Sequence, residues 1–139
     1  MLFKRVFLAL IVCFLLINKS YSQTLKSIAI IEKQTQDCLD KGIGMMACSA
    51  TYEDQMDSLL NLAYNTLRKK LSQAGKDSLK AEEIDWIKKR DKQFKIIAKE
   101  ETKELGDGQD GLMATYHSEG DFIKERVIVL IKRLNKLNK

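Results

Sequence analysis

The sequence predicts an all-α fold: a small helical domain built on a long antiparallel helix hairpin, with flanking N- and C-terminal helices and one disulfide. Apolar residues recur every three or four positions along most of the chain, which is typical of amphipathic helices. No stretch alternates apolar and polar residues, as a half-buried strand would. The 139 residues include seven glycines and no proline, so few positions interrupt a helix. A chain of this length forms one compact core rather than two.

The first 22 residues have the three-part pattern of a secretory signal peptide. Residues 1–5 carry two positive charges, residues 6–17 are apolar throughout, and residues 18–22 are polar and end in Ser-Tyr-Ser. The apolar run is shorter than the roughly 20 residues that span a bilayer as a helix. We therefore expect cleavage after Ser22, which leaves residues 23–139 as one secreted or periplasmic domain without a transmembrane segment.

Loss of this leader changes the charge balance of the protein. The whole chain has 24 basic and 19 acidic residues, a net charge of +5. Three of the basic residues, Lys4, Arg5 and Lys19, and none of the acidic ones lie in the leader, so residues 23–139 carry a net charge of +2. A nearly neutral domain attracts phosphate weakly at long range. We expect no nucleic-acid partner.

Two of the three cysteines remain after cleavage. Cys13 lies within the apolar run, where Val12 before it and the apolar residues after it fit a lipid-attachment site poorly, although that alternative stays open. Cys38 and Cys48 lie in the predicted extracytoplasmic domain, so we expect one structural disulfide between them. The chain has one histidine, which leaves too few ligands for zinc, and we predict no metal and no cofactor.

Stretches that contain glycine divide the domain into four helical pieces. Residues 24–40 are predicted to form the first helix, which leads into the disulfide, and residues 45–72 a long amphipathic second helix. A third helix is predicted over residues 77–104, after a polar turn at 73–76. Because this turn is short, the second and third helices should be antiparallel neighbours.

A final apolar stripe predicts a C-terminal helix whose last turns are basic. Its members are Phe122, Ile123, Val127, Leu130, Leu134 and Leu137. Basic side chains there suit the negative end of the helix dipole. Before this helix, residues 106–111 read G-x-G-x-x-G, but a helix rather than a strand precedes them, and two aspartates would repel a phosphate. We interpret this stretch as a linker.

No pattern of residues in the chain indicates catalysis. His117 is the only histidine, and no serine lies in a nucleophile-elbow sequence such as G-x-S-x-G. Glu82, Glu83 and Asp85 are too close in sequence to face each other across one bond on a helix. We therefore predict that the protein is not an enzyme.

A polar seam is predicted where the second and third helices meet. Its residues fall at helical spacing on one face of each helix. The antiparallel register sets them in three pairs, which are Asp57 with Arg90 as an ion pair, Asn61 with the Trp86 indole N–H, and the Tyr64 hydroxyl with Glu83. We interpret this seam as structural, because buried polar groups need hydrogen-bond partners whatever the function.

The same residues carry a resemblance to a known family. Residues 57–64 read D-x-x-L-N-x-x-Y, and residues 79–91 follow L-x-x-A-Q-x-x-W-[IL]-x-x-R-D with Glu82 and Glu83 at the alanine and glutamine positions. The chain resembles the LprI-like lysozyme-inhibitor domain family over about residues 38–134. The resemblance implies a small helical bacterial domain, secreted or periplasmic and in some members lipid-anchored, whose named activity is inhibition of lysozyme.

The chain departs from the family pattern at a second cysteine pair. Phe94 stands where the family commonly has a cysteine, and the expected partner cysteine near His117 or Ser118 is missing as well. Because both partners are absent, no stray thiol remains. We expect Phe94 to fill the space with apolar packing.

These observations favour a secreted, non-enzymatic binding protein that inhibits lysozyme or another peptidoglycan-cleaving enzyme. The cleft of such an enzyme depends on two carboxylates, so a basic or hydrogen-bonding loop suits it as a plug. Two candidate contact surfaces are the loop closed by the disulfide, with Lys41, Met45 and Met46, and the basic C-terminal helix, with Arg126, Lys132, Arg133 and Lys136. The alternative function is an envelope structural or stress protein that binds a cell-wall or lipid partner through that helix.

Overall fold

The computed structural model describes residues 25–137, which fold into four α-helices. They are α1 (Leu25–Leu39), α2 (Met45–Lys69), α3 (Gln73–Leu105) and α4 (Gln109–Leu137). This part of the chain contains no strand, and the prediction of an all-α fold is confirmed. The predicted signal peptide, its cleavage site after Ser22 and Cys13 lie outside the described residues.

Two helices begin earlier than the sequence predicted. α3 begins at Gln73 because Ser72 caps it: the Gly75 backbone N–H donates to Ser72 Oγ at 3.3 Å. The polar stretch at 73–76 is therefore the first turn of a helix rather than a loop. α4 begins at Gln109, so the linker shrinks to residues 106–108.

α4 is the central helix of the domain. It runs parallel to α2, since Tyr52 near the start of α2 stacks on His117, and Leu67 near its end shares a cavity with Leu137. α3 runs antiparallel to α4, and it touches α2 little. The sequence predicted α2 and α3 as packed neighbours, but each of them packs mainly on α4, because the apolar stripe of α2 is buried against that of α4 and two glutamates of α3 bind Arg126 of α4.

The core lies mainly between α2 and α4. Its side chains follow the predicted stripes, and they are Tyr52, Met56, Leu59, Leu60, Ala63 and Leu67 from α2 and Ile123, Val127, Leu130, Ile131 and Leu134 from α4. α3 adds Leu79 to this cluster, and Phe94 and Trp86 pack against it at its edge. The apolar packing expected of Phe94 is thus confirmed.

α1 contributes Ile28 to the core, and Ile31 packs against the core beside it. The predicted disulfide between Cys38 and Cys48 is confirmed, and it joins the end of α1 to the first turn of α2 with the two Cα atoms 5.9 Å apart. Glu32 of α1 also accepts a hydrogen bond from Lys124 Nζ of α4 at 3.0 Å. A covalent bond and an ion pair therefore supplement a small apolar contact.

Gly120 marks the closest approach of α2 and α4. A Cβ atom built at Gly120 would lie 2.6 Å from two ring carbons of Tyr52 and 3.3 Å from the Glu53 Cα. The Tyr52 ring is buried and its hydroxyl donates to Asp121 at 2.7 Å, so the ring has little room to move. A helix interior normally disfavours glycine, and here the packing requires it.

We predict that G120A lowers the free energy of unfolding by about 1–3 kcal/mol, the usual cost of overpacking. Urea denaturation followed by circular dichroism measures this change. G108A is the control for an added methyl group without a steric contact, because no atom lies within 4 Å of a Cβ at that position, and the change at the residue before α4 should cost below about 1 kcal/mol. Since alanine has the higher helix propensity, an unchanged or raised stability of G120A would contradict the close approach.

Candidate functional site

The six residues of the predicted polar seam line one groove between α2 and α3. This groove has a volume of about 250 Å³ and is open to solvent. The structure thus brings Asp57, Asn61, Tyr64, Glu83, Trp86 and Arg90 together around one space. They face a gap rather than interlock, because both helices are packed on α4 instead of on each other.

The predicted ion pair between Asp57 and Arg90 is wrong. Arg90 Nε and Nη2 donate to Asp91 Oδ1 at 3.1 and 2.8 Å. Asp57 Oδ2 accepts instead from Asn61 Nδ2 at 2.9 Å. Each group is satisfied within its own helix, since the groove separates α2 from α3.

Glu83 is bound by a residue that the sequence assigned to another surface. Arg126 of α4 donates from Nε and Nη2 to Glu83 Oε2 at 3.1 and 2.6 Å, and from Nη1 to Glu82 Oε1 at 2.6 Å. The expected contact of Glu83 with Tyr64 is therefore replaced by an ion pair to α4. Arg126 is only 7% exposed, which corrects its assignment to the basic partner surface.

Aromatic rings enclose this buried cation. The Arg126 guanidinium carbon lies 5.9 Å from the centre of the Trp86 ring, within the range of a cation–π contact. Trp86 stacks on Phe122 with the ring centres 6.1 Å apart, and Phe94 meets Phe122 edge-on at 6.3 Å. The indole thus packs into the α3–α4 interface, and the predicted contact of its N–H with Asn61 is not made.

Substitution of Arg126 should destabilise the fold more than substitution of any other charged residue between 25 and 137. We predict that R126M lowers the free energy of unfolding by roughly 3–5 kcal/mol, because Glu83 is left without a cation in a buried position. R133M is the matched control, since Arg133 binds the same Glu82 from the same helix but is half exposed, and its loss should cost below about 1 kcal/mol. Equal losses in the two variants, measured by urea denaturation, would contradict the buried-pair interpretation.

The loop closed by the disulfide presents apolar side chains to solvent. Ile43 is 83% exposed and Met45 is 38% exposed, while Met46 is partly buried and Lys41 is exposed beside them. Gly42 and Gly44 both have φ near 66°, a conformation that glycine adopts without strain. The two glycines and the disulfide therefore hold Ile43 outward at the start of α2.

An apolar cavity of about 340 Å³ lies beside this loop. Ile43, Ala47 and both cysteines are among its lining residues. Large apolar side chains at a loop tip are costly in water, and they are typical of contact surfaces. Of the residues predicted for this surface, Lys41 and Met45 are available to a partner, and Met46 is available in part.

The basic C-terminal helix offers a smaller surface than the sequence predicted. Lys132 and Lys136 are exposed, whereas Arg133 donates to Glu82 Oε2 at 2.7 Å and Arg126 is buried. Ion pairing with the glutamates thus neutralises part of the positive charge of this helix.

A second polar cluster joins α1, α2 and α4, and sequence reasoning did not find it. The Tyr52 hydroxyl donates to Asp121, and Lys124 Nζ donates both to Asp121 at 2.7 Å and to Glu32. His117 stacks on Tyr52 with the ring centres 5.0 Å apart. The periodicity marked Tyr52 as a core residue, but no local signal indicated a hydroxyl partner in another helix.

Two carboxylates meet at the closest approach of α2 and α4. Glu119 precedes Gly120, which lies against Glu53. Burial raises the pKa of Glu119 to about 7, and the charge of Glu53 raises it as well. The pKa of Glu53 is raised by burial and then by Asp54 and Asp57, while Arg90 opposes this shift. Deprotonation of Glu119 therefore opposes folding.

We predict a pH dependence from this carboxylate pair. The pKa of Glu119 in the fold is about 7 against an ordinary value of 4.5, so its stabilising contribution is complete below about pH 4.5 and is lost as the pH rises through about 7. E119Q should therefore unfold at higher urea than the wild type at about pH 8 and at a similar concentration at about pH 4.5. E125Q, an exposed glutamate on the same helix, is the control. Parallel pH profiles of E119Q and wild type would exclude this origin.

The described part of the chain contains no group of three or more histidine, cysteine, aspartate or glutamate side chains arranged to hold a metal. No helix between residues 25 and 137 is long and apolar enough to cross a membrane. The fold and the loop define a small helical domain that is fastened by one disulfide and exposes apolar side chains at this loop.

Comparison with known proteins identifies the family to which this domain belongs. Residues 32–130 match the family model described as lysozyme inhibitor LprI, and the chain belongs to this family. The match covers α2 and α3 completely, together with about half of α1 and most of α4. No curated protein and no solved structure shows a significant match to the chain.

Proposed function

We propose that the protein is a secreted or periplasmic, non-enzymatic binding protein that inhibits a lysozyme-type enzyme through the loop closed by its disulfide. Membership of the LprI family supports the class of target. The observation that carries the assignment to the loop is the exposure of Ile43, which is 83% accessible on a segment held between two fixed points.

The loop has the physical properties of an inhibitory contact. A disulfide across a separation of ten residues limits the conformations of the loop, so little further entropy is lost on binding. Ile43 and Met45 supply apolar area for a central contact, and the ammonium group of Lys41 suits an enzyme cleft that contains carboxylates.

The alternative partner is an anionic cell-wall polymer or lipid surface bound through Lys132 and Lys136. The exposure of these two lysines on one helix favours this alternative. The two modes differ in salt dependence, because contacts between exposed charges are screened within about 8 Å at physiological ionic strength. A packed apolar contact weakens less as salt is added.

We predict that the purified protein, oxidised and without its predicted leader, protects cell walls from lysis by at least one lysozyme type. I43E should weaken this protection at least tenfold, because a charge replaces the apolar centre of the contact. L62E is the control, since Leu62 is 48% exposed on α2 outside the loop, and it should change inhibition less than about twofold. The rate of turbidity loss against protein concentration gives the inhibition constant.

Three results would contradict this proposal. One is absence of protection against every lysozyme type tested; another is an equal loss in I43E and L62E. The third is inhibition that disappears between about 50 and 300 mM salt and depends on Lys132 and Lys136, which would favour the basic helix instead.

A further inference from the structure

An apolar cavity of about 320 Å³ opens at the opposite end of α2 from the disulfide loop. It lies where α2 ends, α3 begins and α4 ends. Four leucines line it: Leu67 and Leu79 are buried, Leu71 is partly buried and Leu137 is 51% exposed. Gly75 in the first turn of α3 also lines the cavity.

The rim of this cavity carries more positive than negative charge. Its polar residues are Ser78, Glu82, Arg133 and Lys136. Both carboxylate oxygens of Glu82 already accept hydrogen bonds from arginines, Oε1 from Arg126 and Oε2 from Arg133. Arg133 uses one of its five N–H groups for Glu82, and the others can donate to a ligand. Lys136 makes no ion pair with any residue between 25 and 137.

The helix dipoles do not decide the sign of the charge at the rim. The positive N-terminal end of α3 lies there with the negative C-terminal ends of α2 and α4, so a negative partial charge of about half a unit is left over. The side chains of the rim, with the two cations Arg133 and Lys136 against the single carboxylate of Glu82, outweigh this partial charge. A cavity with an apolar floor and a cationic edge is complementary to a molecule with an apolar tail and an anionic head.

We propose that this cavity binds a free medium-chain fatty acid, with the tail among the leucines and the carboxylate at Lys136, Arg133 and the Ser78 hydroxyl. A volume of 320 Å³ equals that of about ten water molecules in the liquid, which suits a chain of about ten carbons. A two-chain lipid exceeds this space. The site is independent of the inhibitory loop, since the 25 residues of α2 separate them by roughly 35 Å.

Calorimetric titration of the oxidised protein without its leader, with octanoate, decanoate and dodecanoate below their micelle concentrations, tests this site. Affinity should rise about fourfold for each added methylene until the cavity is full. Decyltrimethylammonium has a similar tail and the opposite charge, and decyl maltoside has no charge. Both should bind at least tenfold more weakly than decanoate, because Lys136 and Arg133 favour an anion.

Two pairs of variants at exposed positions leave the core intact. K136E should weaken decanoate binding at least tenfold, whereas K132E makes the same charge change on α4 away from the cavity lining and should alter it less than about twofold. S78F should fill the mouth and abolish binding, whereas S78A removes only one hydrogen bond to the carboxylate and should weaken binding by less than about tenfold. Circular dichroism confirms that each variant is folded.

The proposal is overturned by any of three outcomes. They are absence of saturable decanoate binding, equal affinity for the cationic and anionic probes, and binding to phosphatidylglycerol vesicles without binding of free decanoate. Lysozyme inhibition measured on the same variants separates this site from the loop, because K136E should leave inhibition unchanged and I43E should leave decanoate binding unchanged.

Discussion

The ion pair of Arg126 with Glu82 and Glu83 sets the arrangement of the helices. A guanidinium that is 7% exposed is strongly destabilising unless carboxylates neutralise it, so α3 must present both glutamates to α4 at this level. Because two neighbouring residues of α3 bind one side chain, both the rotation and the axial position of α3 on α4 are restricted. Stacking of Trp86 on Phe122 follows from that register.

The same ion pair explains why the residues that match the family's sequence motif face an open groove. α2 is packed on α4 through its apolar stripe, and α3 is attached to α4 through the Arg126 cluster. Neither helix is free to close on the other, and the polar side chains between them remain accessible to water. Glu83 stands where the resembling family has glutamine, and here its full charge matches that of Arg126.

The two candidate binding surfaces lie at opposite ends of α2, away from the rigid centre of the domain. The loop from residue 40 to residue 44 depends on the disulfide and two glycines, while the leucine-lined cavity depends on the turn before α3. The disulfide loop takes no part in the buried cluster of Arg126, and the cavity shares only Glu82, at its rim, with that cluster. Such surfaces can therefore be altered without loss of the fold, which is typical of loops and helix ends on a stable scaffold.

The sequence by itself determined the helical class, the apolar stripe of each helix and the cysteine pair. These features depend on local periodicity and on the count of available partners, and both can be read along the chain. Periodicity also identified most of the core and the six side chains that share the α2–α3 groove. Periodicity did not identify which helix is central, because an apolar stripe shows which face of a helix is buried but not which other helix packs against it.

Only the tertiary structure decided how the charged side chains are used. Arg126 and Lys132 both read as basic residues of a C-terminal helix, yet one is buried and the other is exposed. Glu83 is hydrogen-bonded to Arg126, which lies 43 positions later in the sequence, and Tyr52 is hydrogen-bonded to Asp121, which lies 69 positions later. Pairing over such distances is set by the packing of whole helices, since the free energy of burying a charge depends on which groups surround it and not on its neighbours in sequence.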